Sequence, residues 1–257
     1  MAKLPVIQVL PDIKKQLAKH NRLILQAPPG AGKTTLVPLA LLKEQWLTDK
    51  QIIILEPRRL ATRNAAARMA YLLGEEVGET VGYQIRQDSC ISKKTRILVL
   101  TEGILTRKLQ ADPELEGVAL VIFDEFHERS IHADLSLAFC LQSQELINEQ
   151  LKILIMSATL NTQALAELLN DDHYKAPLVT SEGKSYPVDV IYQDDNTPAI
   201  DRYNLISIIS RKTITALAEH PANILIFLPG VREIKQLERE LIKQIKNTEQ
   251  TIIISPL

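Results

Sequence analysis

The sequence predicts an α/β fold built on a parallel sheet with helices on both faces. Three observations carry that expectation: short apolar runs that are continuous instead of alternating, longer stretches of helical period between them, and a polar cluster at the end of run after run. Taken in order, Val6, Val9, Leu10, Ile13 and Leu17 repeat at helical spacing, and the run 22–26 reads as the first strand. Strands follow at 51–55, 96–100, 120–123 and 152–156, with helices at 34–43, 61–73, 104–109, 133–146 and 162–169 between and after them. After about residue 175 the character changes: residues 176–196 contain Pro177, Gly183, Pro187 and the acidic pair Asp194-Asp195. Alternation then resumes with a helix at 205–219, a strand at 223–228, a helix at 231–246 and a strand at 251–255. The expected organisation is a first domain over 1–180, a linker over 181–198 and a partial second domain over 199–257.

Composition narrows the function. Thirty Lys and Arg stand against 31 Asp and Glu, a net charge of -1, which argues against a basic coat protein or an acidic tail. No apolar run approaches the roughly 18 to 20 residues of a membrane span, and Met1-Ala2-Lys3-Leu4-Pro5 lacks a signal-peptide core, so a cytoplasmic protein without membrane partners is expected. Cys90 and Cys140 lie in no metal-ligand spacing and read as reduced and structural. His20, His132, His173 and His220 have no partner pattern, and aromatic residues at 4% argue against a base-stacking platform.

Chemistry collects at the strand ends. Ala27-Pro28-Pro29-Gly30-Ala31-Gly32-Lys33-Thr34-Thr35 follows a strand and opens a helix, the context of a phosphate-binding loop, with Ala27 where the strict motif has Gly. Glycines let backbone N–H groups turn toward phosphate oxygens, Lys33 supplies positive charge, and Thr34 offers a hydroxyl to Mg²⁺. Asp124-Glu125-Phe126-His127 ends the run 118–123; an acid at the tip of a buried strand suits a cation, and Glu125 suits a base for the attacking water. Taken alone, such an acidic pair is a common loop start. Glu56-Pro57-Arg58-Arg59, Thr101-Glu102-Gly103, Ser157-Ala158-Thr159 and Pro229-Gly230 end other runs, so all these clusters are expected on one edge of the sheet. Arg58 and Arg59 read either as phosphate-binding forks or as a solvated cationic corner, and Ser157 and Thr159 either as site residues or as a helix cap.

In this order the clusters resemble motifs I, Ia, Ib, II, III and IV of the DExH/DEAH-box helicases of superfamily 2, and Phe126 in motif II resembles a bacterial branch of that family. The resemblance implies a RecA-like P-loop NTPase domain followed by the start of a second RecA-like domain, and an ATP- and Mg²⁺-dependent helicase or translocase on single-stranded nucleic acid, RNA in preference to DNA. It implies that Lys33, Asp124, Glu125 and His127 are catalytic, that Thr34 and Asp124 hold Mg²⁺, and that Arg68 packs on the adenine. It assigns Arg58, Arg59, Arg86, Thr101 and Gly103 to the nucleic acid, and Ser157 and Thr159 to coupling through His127. No Gln-x-x-Gly-Arg-x-Gly-Arg segment occurs, so the arginine fingers of motif VI are absent from these residues and nucleotide binding with poor turnover is expected. A nucleotide-dependent binding module without turnover, and a small-molecule P-loop kinase, are the other readings.

Overall fold

Seven parallel strands and one antiparallel edge strand form a single sheet in the computed structural model of the chain, in the order β4-β3-β5-β2-β6-β7-β1-β8. The structure describes residues 4–158, 162–170, 175–183, 188–192, 201–219, 222–245 and 252–256. The strands are β1 (Arg22–Gln26), β2 (Gln51–Glu56), β3 (Val81–Ile85), β4 (Asp88–Cys90), β5 (Ile97–Thr101), β6 (Val118–Phe123), β7 (Lys152–Ser157) and β8 (Leu178–Thr180). The helices are α1 (Leu10–Lys19), α2 (Lys33–Leu41), α3 (Arg59–Leu73), α4 (Glu102–Ala111), α5 (Ile131–Leu146), α6 (Thr162–Leu169), α7 (Leu205–Glu219) and α8 (Val231–Ile245).

Both faces of the sheet are covered, which is why the inner strands read as unbroken apolar runs. Successive side chains point to opposite faces. Leu23, Leu25, Ile52, Ile54, Ile122 and Leu154 enter one core, while Ile24, Ile53, Leu55, Val121, Phe123 and Ile153 enter the other. Every residue of β6 and of β7 is buried. Because the strands run parallel, their carboxyl ends share one edge, and ligands in such sheets collect there.

Sequence and structure agree on β1, β2, β5, β6 and β7 to within two residues at each end. They differ at the periphery. The β3–β4 hairpin and β8 are not anticipated by the sequence, and β3 is the segment Gly82-Tyr83-Gln84-Ile85 whose neighbour Arg86 was assigned to the nucleic acid. Conversely, the strands expected at 223–228 and 251–255 form no ladder among the described residues. Their apolar residues instead line a cavity of about 760 Å³ with α7 and α8, and Leu225 and Ile253 stand exposed. An apolar run becomes a strand only where a neighbour supplies hydrogen bonds. The chain divides into two compact units, residues 1–186 and 187–257.

Ile53 is fully buried between β5 and β6. Its replacement by Ala is expected to cost about 2–5 kcal/mol, as for other large-to-small core changes, read as a lowered urea midpoint at unchanged slope.

Candidate functional site

The loop after β1 is fixed at both ends before it reaches any ligand. Ala27 donates its N–H to the Ser157 carbonyl at 3.0 Å, which ties the start of the loop to the end of β7. Ala31 donates to the Pro28 carbonyl at 3.2 Å and accepts from the Val6 N–H, also at 3.2 Å, so the first turn of the chain clamps the loop from outside. Gly30 and Gly32 have φ of 74° and 86°, and a side chain at Gly32 would meet Leu4 Cδ1 at 2.8 Å. Pro29 and Gly30 are exposed at the tip. Helix α2 begins at Lys33, so its free N–H groups and positive dipole end lie at the loop, with Thr35 half-buried in its first turn.

Beside the loop lies a cluster of acids around one ammonium. The β2–β6 register pairs Leu55 with Phe123, so Glu56 and Asp124 leave neighbouring strands side by side. Glu56, Asp124 and Lys33 are all buried, at 3%, 4% and 3% exposure. Lys33 Nζ lies 2.8 Å from Glu125 Oε1. The Thr34 hydroxyl donates to Asp124 Oδ2, and the Glu125 N–H donates to Asp124 Oδ1 at 2.8 Å. His127 Nδ1 lies 3.4 Å from Glu125 Oε2 and 3.4 Å from the Ala158 N–H. That nitrogen accepts from the Ala158 N–H when it carries no proton and donates to Glu125 when it carries one, so it serves one partner at a time.

Three carboxyls and one ammonium leave the cluster short of positive charge. Burial, and then the Asp124 charge, push the Glu56 carboxyl up from 4.5 to about 9. Burial also raises Asp124, against the Thr34 hydrogen bond and the Lys33 charge, which lower it. Buried acids whose charged form is disfavoured mark a place where a cation would lower the free energy. The Thr34 hydroxyl and the Asp124 carboxylate are the hard oxygen donors that Mg²⁺ prefers, so these residues fit that ion. Glu56 is the member that sequence reasoning missed as a site residue. The signal was available, since Glu56 also ends a fully apolar run.

Of the remaining predicted residues, Arg58, Arg59, Arg86, Thr101, Gly103 and Ser157 lie along the same carboxyl edge. Arg58, 73% exposed at its side chain, pairs with Glu128 at 3.0 Å, and Arg59 is exposed at the start of α3. Thr101 ends β5 in register with Glu56 and stands at the N-cap position of α4 without a side-chain cap bond, with Gly103 half-buried in the first turn of that helix. Arg86 is exposed in the turn between β3 and β4. Ser157 is buried at the end of β7 and pairs in register with Gln26; Thr159 lies outside the described residues. Arg68 is not brought to the acid cluster: it lies on the exposed side of α3 with its guanidinium 5.3 Å over the Tyr71 ring. Pro229 and Gly230, expected on the same edge, precede α8 in the second unit. One contact has no counterpart in the sequence reading: a Cβ on Gly183, just past β8, would come within 2.3 Å of Pro28 Cγ.

A phosphate loop at a helix start, an acid at the end of the next strand but one, and a single polar rim define a P-loop protein of RecA-like fold. The chain belongs to the DEAD/DEAH box helicase family, which matches residues 8–168. It is 45% identical over its full length to the ATP-dependent RNA helicase HrpB of Escherichia coli K12, of which it spans 30%. It is 36% identical to the ATP-dependent RNA helicase HrpA of Borreliella burgdorferi over 99% of its length and 30% of that protein. The crystal structure of the Escherichia coli DEAH/RHA helicase HrpB superposes with a TM-score of 0.86 at 46% identity, over 95% of this chain and 30% of that one. The chain thus spans about a third of the length of these relatives.

Glu56 makes the stability of the domain fall with rising pH. Its carboxyl keeps a proton in the folded chain from about 4.5 to about 9, where the unfolded chain has released it, so folding becomes less favourable across that interval. Glu56→Gln removes the penalty. Its melting temperature, in metal-free buffer, is expected to exceed that of the unsubstituted chain by a margin that grows between pH 5 and pH 8.5.

Proposed function

We propose that this chain is the ATP-binding part of an ATP-dependent RNA helicase, which couples Mg-ATP hydrolysis to movement on single-stranded nucleic acid. The reading rests above all on Lys33 and Thr34 meeting Glu125 and Asp124 at the mouth of a phosphate loop. Residues 1–180 are the nucleotide-binding domain, 181–198 the linker and 199–257 part of a second domain, in a cytoplasmic protein.

Lys33 moves from Glu125 to the β/γ-phosphates, and the backbone N–H groups of Gly30, Gly32, Lys33, Thr34 and Thr35 hold the oxygens. Thr34 and Asp124 would hold Mg²⁺, which would supply positive charge beside the phosphates. Freed of Lys33, the Glu125 carboxylate orients the attacking water and accepts its proton. His127 holds the loop against Ala158, which joins this site to the segment after β7. Arg68 lies against the adenine. Arginine fingers contribute roughly 10³ to 10⁵ in rate in such sites, and these residues carry no motif VI, so the chain by itself binds nucleotide and hydrolyses it slowly.

Single-stranded RNA runs along the rim at Arg58, Arg59, Arg86, Thr101 and Gly103. Contacts of this type engage the sugar–phosphate backbone and carry no base sequence. Gly103 supports the track physically. Beyond its own helix turn, a Cβ there would meet nothing within 4 Å, so the surrounding elements do not require glycine in that helix, whereas a backbone approached by phosphate does.

Lys33→Ala is expected to weaken binding of a fluorescent ATP analogue by about 10- to 100-fold, the range of a lost charge-assisted hydrogen bond, with the circular dichroism spectrum unchanged. Undiminished binding excludes the nucleotide site. Gly103→Ala is expected to raise stability by about 0.5–1 kcal/mol, the usual helix gain, while weakening RNA binding measured by fluorescence anisotropy.

A further inference from the structure

The turn that carries Glu125 and His127 is held at its far end by a residue given no role above. It is a single 3-10 turn, Phe126–Glu128, flanked by Glu125 at φ 48° and Arg129 at φ 47°. Two L residues in the left-handed region within five positions are unfavourable and persist only where surrounding contacts impose them. Here the contacts are plain. Phe126 is buried edge-on against Phe123 with centroids 5.9 Å apart. Arg129 places both its Nε and an Nη on the Asp134 carboxylate at 3.0 Å and lies over the Phe126 ring. Ser130 caps α5 and bonds to Glu102, beside Thr101. The two ends are gripped by opposite charges: Lys33 holds Glu125 at 2.8 Å, and Arg58 holds Glu128 at 3.0 Å.

We propose that Glu128 is a positioning residue that occupies Arg58 in place of a backbone phosphate, so that single-stranded RNA releases the outer end of the turn whose inner end holds Lys33. The proposal rests on the nucleic-acid rim put forward above. A carboxylate and a phosphodiester both present an anionic pair of oxygens to a guanidinium, so each can replace the other at Arg58. The Arg58–Glu128 pair is exposed, and exposed pairs are held weakly enough for such exchange. Once Glu128 is displaced, the turn loses one of its outer tethers while its flanking strain remains, and the Lys33–Glu125 contact opens more readily. The linkage is reciprocal: phosphates that draw Lys33 away from Glu125 loosen the same turn and make Arg58 easier to take.

The test is RNA binding by the whole chain, followed by the anisotropy of a fluorescein-labelled oligouridylate, with and without a saturating non-hydrolysable ATP analogue. Glu128→Gln is expected to tighten RNA binding about two- to five-fold, the range of an exposed ion pair. It should give no gain in an Arg58→Ala background. The ratio of RNA affinities with and without nucleotide is expected to move toward one in Glu128→Gln. Unchanged or weaker binding by that variant overturns the exchange, as does an equal gain in the Arg58→Ala background, which marks simple removal of negative charge. An unchanged ratio overturns the transmission to Lys33. RNA binding by neither the unsubstituted chain nor Glu128→Gln overturns the nucleic-acid rim itself. Melting curves confirm that both variants, at exposed positions, fold.

Discussion

One ammonium group buried among carboxylates is the constraint on which the rest of the site depends. Lys33 is almost wholly removed from water, and a charge in that position must have a partner of opposite sign within contact. Glu125 provides it here. The pairing requires Glu125 to turn back toward the loop, which its left-handed backbone achieves, and requires the loop before α2 to stay in place, to which the Ala27 and Ala31 hydrogen bonds contribute. Phosphate oxygens meet the same need for a negative partner. In the proposed function the site is thus in balance between two ways of satisfying one cation, and a bound nucleotide would release Glu125 from Lys33.

The sheet makes the balance available at low energetic cost. Seven parallel strands bring the ends of β2, β5, β6, β7 and β1 to one edge, so groups from distant parts of the chain meet without long loops. Register does the fine placement. Leu55 opposite Phe123 sets Glu56 beside Asp124, and Glu56 opposite Thr101 extends the row toward α4. Crowded together and buried, the acids disfavour one another's charged forms, and a divalent cation held by the oxygens of Thr34 and Asp124 would relieve that cost.

How much of this was legible depended on how local each determinant is. The inner strands are buried on both faces, so their residues must be apolar whatever their neighbours, and the runs declare themselves. Strand β3, with Gly82 and Gln84 in its middle, and β4, with Asp88 and Ser89, are strands by virtue of pairing and carry little intrinsic pattern. The apolar residues at 223–228 show the converse, a run without a ladder. Phosphate loop and acidic turn were legible because each is a short string with its own chemistry. The Glu56–Asp124 adjacency needs the register, and the Arg58–Glu128 pair joins residues 70 apart, so neither can be read along the chain.

Gly183 shows what such non-local contacts impose on a sequence over time. Its backbone does not demand glycine; the volume beside it does, because Pro28 fills the space a methyl group would need, with Cγ at 2.3 Å and Cβ at 3.3 Å. The residue that follows β8 therefore acts as a steric gauge of the phosphate loop, and a change that looks like variation in a surface connection is a change in the nucleotide cradle. A larger residue at 183 requires either a smaller one at 28 or a shift of the loop.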